Sequence, residues 1–410
     1  MKKNVISLRN ILLYLLTFIF IVFSISSYTE YGSEMKILKN ICQILIIIIA
    51  LFKVKLKKFK WTIPIILVLI VYPLILITFG IYKFYPLQVL MYLGMVLINI
   101  LFYIVLSDFY FDKFDTFIYI WQLSSLVTLL VLLIIYRGIS LNIPYMLKAV
   151  ITNERYGSSL IVQRYGMGFN NVNQLALFSS ILMVCSIYFI YKKKRIIFSI
   201  VCSILSFIFI CNSESRAPFV ALGLSIIVLI IINMKSIKLK KILLNTIYLS
   251  ILLFSIYFAY YAFNGATLSS AYQNLNNISS MRLYFSSQAL SFARSIGTKW
   301  FGVGPMSTSF VTHEVFGSTL TLDSSLGYSL FSYGIIGTII ISILLIYFVK
   351  SIHNNDANYF IIYFITYAIF ENALFIPSSL LSCFGCVIIF IFMRIKNEKK
   401  CISNCINNNI

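Results

Sequence analysis

Residues 172–211 read VNQLALFSSILMVCSIYFIYKKKRIIFSIVCSILSFIFIC, and this stretch decides the fold. Two apolar runs, 172–191 and 196–211, flank a basic cluster of Lys192, Lys193, Lys194 and Arg195. Crossing the hydrocarbon of a bilayer takes ~20 apolar residues wound as a helix, and these runs reach or approach that length. The apolar residues are continuous and do not strictly alternate, which argues against a lipid-facing barrel strand. A dense basic cluster between two spans stays on the cytoplasmic side during insertion. The stretch therefore reads as a helical hairpin whose tip faces the cytosol.

The same grammar continues in both directions. Twelve spans are expected at about 11–28, 37–52, 61–81, 86–106, 115–136, 172–191, 196–211, 217–233, 242–263, 327–349, 357–373 and 375–393. The organisation follows: N-terminal membrane helices in 1–136, a first large outer loop in 137–171, and central membrane helices in 172–263. A second large outer loop with short helices fills 264–326, membrane helices return in 327–393, and 394–410 is a cytoplasmic tail. The run from Ile11 to Ser27 lacks a small-x-small cleavage site and reads as the first span, not a signal peptide.

Composition agrees. The chain of 410 residues is 60% hydrophobic and only 11% charged, too little polar surface to coat a soluble particle. Its net charge of +21 is not a nucleic-acid footprint, because the lysines gather in short clusters between apolar runs. With the N-terminus inside, the segments 53–60, 107–114, 192–195, 234–241, 350–356 and 394–410 all fall inside. Both termini are then cytoplasmic. None of the eight cysteines lies deep in an outer loop, so a disulfide framework is not expected. No internal repeat is visible, which weakens a transporter reading.

The two basic residue types divide differently. Of 24 lysines, 19 fall inside, whereas 6 of 9 arginines fall outside: Arg137, Arg155, Arg164, Arg216, Arg282 and Arg294. Insertion bias drives both types inward, so external arginines need another reason. The planar guanidinium stays charged in a dry site and binds phosphate through two parallel N–H groups. An anionic ligand at the outer leaflet is the chemistry this pattern points to.

Four motifs sit among these arginines. Arg164-Tyr165-Gly166-Met167-Gly168-Phe169-Asn170-Asn171-Val172-Asn173 leads into the sixth span, where a helix N-terminus attracts anions. One Asn suffices as a cap, leaving Asn170 and Asn173 for a sugar or phosphate. Between spans seven and eight lies Asn212-Ser213-Glu214-Ser215-Arg216-Ala217-Pro218, with Glu214 and Arg216 at the membrane edge. Arg282 and Arg294 follow, then Trp300-Phe301-Gly302-Val303-Gly304-Pro305 and a polar run with His313, Glu314 and Asp323. The last is Tyr333-Gly334-Ile335-Ile336-Gly337, within span ten. No Walker A, H-E-x-x-H or G-x-S-x-G motif is present, and the outer loops hold no Asp-x-Asp pair for a metal.

These pieces, in this order over 155–340, resemble the Wzy-type O-antigen and capsular polysaccharide polymerases and the related O-antigen ligases. The first five spans match only in being hydrophobic. Where many members, above all the ligases, show His-Asn, this chain reads Asp323-Ser324. The resemblance implies a fold like the membrane-embedded glycosyltransferase class GT-C, in a bacterial plasma membrane, with the site on the outer face. It implies transfer of a growing glycan from undecaprenyl pyrophosphate onto a lipid-linked oligosaccharide repeat unit, for capsule, exopolysaccharide or O-antigen. No cofactor or metal is needed: arginines can neutralise the departing diphosphate. Arg216, Arg282 and Asp323 would be catalytic, Asp323 as base. Arg164, Arg155, Arg294, Asn170, Asn173, Glu214, His313 and Trp300 would line the substrate. The lipid bilayer, a chain-length regulator and a flippase would be partners; nucleic acid would not. The rival readings are an O-antigen ligase with another acceptor, a lipid-linked oligosaccharide flippase, and a solute transporter. The last two are disfavoured because ionisable residues are nearly absent within the spans, apart from Glu371 near an outer end.

Overall fold

A computed structural model describes residues 8–52, 54, 56–137, 139–152, 165–264, 269–306, 322–352, 354–372, 374 and 379–407. Among them there are helices and no strands; the one β-bridge, Thr29 to Phe169, is isolated. Eight helices are long and apolar enough to cross a membrane: α1 (Leu8–Ser26), α3 (Phe59–Thr78), α4 (Pro86–Phe109), α5 (Phe114–Tyr136), α7 (Val172–Tyr191), α8 (Ile196–Ser213), α10 (Ile237–Asn264) and α13 (Ser325–Ser351). The other four expected spans also fall on helices. Of these, α9 (Ala217–Ile232) and the start of α15 (Leu380–Asn407) are apolar but short. The remaining two are α2 (Gly32–Leu51), which carries Glu34, Lys36 and Lys39, and α14 (Asn355–Phe370). Three short helices lie in the expected outer loops: α6 (Ile143–Thr152), α11 (Ser270–Ile278) and α12 (Arg282–Ser295).

The chain divides into two compact units. Unit 1 comprises residues 1–54 and 105–222; unit 2 comprises 55–104 and 223–410.

In unit 1, α7 and α8 form the hairpin expected from 172–211. Asn171 caps α7 by accepting from Asn173 N–H, as asparagine does at an N-terminus. The buried faces carry small residues, among them Ser179, Ser180, Ser186, Ser199 and Ser206. Small side chains let helices approach closely where no hydrophobic drive separates lipid from protein interior. Outward residues are apolar too, such as Ile197, Val201 and Ile204. A helix apolar on every face belongs in a membrane, not at a water boundary. At the hairpin tip Lys194 pairs with Asp115, and Lys113 covers the Tyr14 ring.

In unit 2, α10 buries little beyond Phe258 and Ala262 and turns the rest of its apolar surface outward. Its final turn joins a core with Tyr272, Leu275, Leu283, Leu290 and Leu330. The other face of α12 buries Ala289 and Ala293 against Val303, Tyr328 and Phe331. Gly327 lets α13 meet α12: a Cβ there would lie 2.1 Å from Ser286 Oγ.

Candidate functional sites

Unit 1 presents one set of helix ends opposite the lysine-rich tip. There α8 stops at Ser213 and the chain turns at Glu214, whose φ of +50° is left-handed. Pro218, second in α9, needs no N–H at that position. Asn212 is fully buried and spends its whole amide locally. Its Nδ2 donates to Ser140 O at 3.0 Å and to Ile208 O at 2.8 Å. Its Oδ1 accepts from Ser140 N at 2.7 Å, and its backbone carbonyl accepts from Tyr165 N at 3.2 Å. One amide thereby ties the segment after α5, and the approach to Gly168, to the end of α8. Arg216 Nε donates to Val150 O in α6 at 2.9 Å. Glu214 is 1% exposed.

The first motif closes over the same ends. Gly168 sits at φ +78°, and a Cβ there would lie 2.2 Å from the Tyr136 ring. Asn170 donates from N to Tyr28 O at 2.9 Å and from Nδ2 to Thr29 O at 3.2 Å. The three asparagines thus divide their work: Asn170 holds the α1–α2 turn, Asn171 caps α7, and Asn173 stands half-buried in the first helical turn.

In unit 2 the third and fourth motifs lock onto each other. Helix α13 is broken at Gly334, whose φ of +68° and ψ of −171° are open essentially to glycine alone. The break frees backbone groups that the 299–304 turn then satisfies. Val303 N donates to Phe331 O at 3.0 Å and Gly304 N to Ser332 O at 3.0 Å. In return Ile335 N donates to Lys299 O at 3.3 Å and Ile336 N to Trp300 O at 3.1 Å. Tyr82 Oη donates to Phe301 O at 2.8 Å. Non-helical backbone within an apolar span survives only where protein meets its hydrogen bonds. Trp300 itself is 51% exposed.

Arg282 is the first residue of α12. Its side chain is 10% exposed and that of its ion partner Glu371 15%, with Nη2 to Oε1 at 2.5 Å. Nη1 donates to Ser279 O at 3.2 Å, while Nε, buried, has no acceptor among the described residues. Burial works against the charge, but Glu371, Asp323 and Tyr367 outweigh it and raise the guanidinium's pKa. Asp323 is half-buried and precedes Ser324, which caps α13 in its place by accepting from Gly327 N. Ser324 Oγ also donates to Ile369 O at 2.7 Å, and Ser325 Oγ to Glu371 O at 3.0 Å, pinning the end of α14 to the start of α13. Arg294 lies on the same helix as Arg282, ~18 Å along at 1.5 Å per residue, and donates to Phe263 O at the end of α10.

The structure therefore pairs Arg282 with Glu371 within the field of Asp323, and ties Arg216, after the Asn212 turn, to Val150. Arg294 and Trp300 serve other contacts. Arg155, Arg164 and His313 lie outside the described residues. Glu371 as the partner of Arg282 was not foreseen; its signal was a lone carboxylate ending an apolar run. Asn212, quoted only as part of a turn, had no signal of its own. Among the described residues no three His, Cys, Asp or Glu side chains gather as metal ligands.

The apolar helices define the class: a multi-pass membrane protein, all-helical among the described residues. No protein-family model and no curated protein matches the chain.

Proposed function

We propose that this protein is a polysaccharide polymerase of the bacterial plasma membrane, with twelve spans, both termini cytoplasmic and the site on the outer face. Its donor is a glycan linked through pyrophosphate to undecaprenol, and its acceptor is a lipid-linked repeat unit. The observation that carries the reading is Arg282: a nearly buried guanidinium in the field of Asp323, held by Glu371 through one nitrogen, with Nε lacking an acceptor among the described residues. Such a group is suited to an oxyanion that arrives with the substrate.

In the reaction an acceptor hydroxyl oxygen bonds to the anomeric carbon of the growing glycan. The bond from that carbon to the pyrophosphate oxygen breaks, and its electron pair leaves with undecaprenyl pyrophosphate. The hydroxyl proton passes to Asp323. Arg282 neutralises charge as it builds on the diphosphate, a role that a fixed donor fills without reorganisation.

Arg164→Ala, Arg216→Ala and Arg282→Ala, each in the full-length protein in membranes, are expected to abolish long-chain product while insertion persists. The readout is product length from lipid-linked repeat units. Lysine replacements rescue poorly, because a point charge lacks the planar fork. Normal-length polymer from all three alanine variants overturns the assignment.

A further inference from the structure

We propose that Glu371 is a positioning residue that keeps one donor of Arg282 occupied until a diphosphate takes it. The inference rests on the reading of Arg282 as a diphosphate ligand. In a guanidinium, Nε–H and one Nη–H point the same way and together grip an anion with two oxygens. Glu371 uses only half of that edge. Its Oε1 meets Nη2, while Nε finds no acceptor among the described residues. A carboxylate whose sole task was to neutralise Arg282 would gain from taking both N–H groups, since bidentate pairing is the stronger arrangement.

Two hydrogen bonds tie the backbone of Glu371 itself, which leaves its side chain as the adjustable part. Glu371 N donates to Tyr367 O at 2.9 Å, and its carbonyl accepts from Ser325 Oγ at 3.0 Å. Glu371 closes the C-terminus of α14 in an extended conformation, with φ −122° and ψ 140°. A carboxylate on a flexible stem, set on a rigid base, can withdraw from Nη2 without moving a helix. Removing it outright would leave a nearly buried arginine without its ion partner, which is costly. Its presence therefore keeps the site folded and charged when empty, and weakens binding by competing for Nη2.

The test uses purified full-length protein in detergent and inorganic pyrophosphate as the probe, with affinity read by calorimetry. Arg282→Ala is expected to weaken pyrophosphate binding. Glu371→Gln is expected to tighten it by about tenfold, since the competing charged hydrogen bond is gone. With lipid-linked donor, the same variant lowers KM without raising kcat. A purely structural Glu371 predicts unchanged or weaker affinity, and that result overturns the inference. Should Glu371→Gln fail to insert, Glu371→Asp, shorter by one methylene, replaces it: tighter binding supports the inference and unchanged binding overturns it. If Arg282→Ala leaves pyrophosphate affinity intact, the underlying reading of Arg282 fails instead, whatever Glu371 does.

Discussion

Replacing Gly334 by alanine tests the lock between the broken helix and the 299–304 turn. An added Cβ would lie 2.4 Å from both Gly302 N and Trp300 O and 2.5 Å from Phe301 C, all backbone atoms that no side-chain rotation can clear. The residue would also hold φ +68° and ψ −171°, which costs an L-residue about 1–3 kcal/mol. Relieving the overlap means parting the segments and losing the four backbone hydrogen bonds from Val303, Gly304, Ile335 and Ile336. At about 0.5–1.5 kcal/mol net for each bond, backbone strain and lost bonds together come to about 3–9 kcal/mol. That is a large part of the stability of an ordinary domain. The assay is thermal unfolding of the purified protein in detergent, with Gly94→Ala as control, because a Cβ at Gly94 in α4 meets nothing within 4 Å. Gly94→Ala is expected to be neutral or stabilising by about 0.5–1 kcal/mol. Gly334→Ala is expected to lower Tm by at least ~5 °C or to abolish recovery of folded protein. Equal Tm values for the two variants would refute the argument. Gly302→Ala probes the same contact from the other side, 2.4 Å from Ser332 O, so the double variant should cost less than the two singles together.

Asn212→Ala removes both bonds to Ser140 and leaves that residue's N–H and C=O without their partner; a loss of about 2–4 kcal/mol is expected, read by denaturant unfolding in detergent. Orientation is checked by single cysteines placed in a cysteine-free chain: Leu141→Cys should react with a membrane-impermeant reagent from outside the cell and Lys194→Cys only after permeabilisation, and the reverse pattern would invert the topology.

Much of the architecture was legible in the chain itself. The run at 172–191, the cluster Lys192 to Arg195 and the run at 196–211 foretold α7, its tip and α8, because span length and charge placement are local properties. An asparagine cap at the mouth of α7 was readable for the same reason, since capping joins residues two apart, and the fold gives the task to Asn171. Asp323 and Ser324 both suit the N-terminus of α13, and packing gives the cap to Ser324, whose hydroxyl also reaches Ile369. Gly334 looked like an ordinary glycine inside an apolar helix, and nothing nearby in sequence announced the break.

What the sequence determined alone was the membrane class, the helix positions and a set of arginines lying apart from the lysine clusters, since apolar length and charge act over a few residues. Tertiary structure decided what Arg216, Arg282 and Arg294 touch. Arg282 met a carboxylate 89 residues away, Arg294 turned to a helix end, and two glycine motifs closed on each other through backbone hydrogen bonds. Main-chain N–H and C=O groups are the same in every residue, so their long-range pairing leaves almost no mark on residue identity. It becomes visible only when the chain has folded.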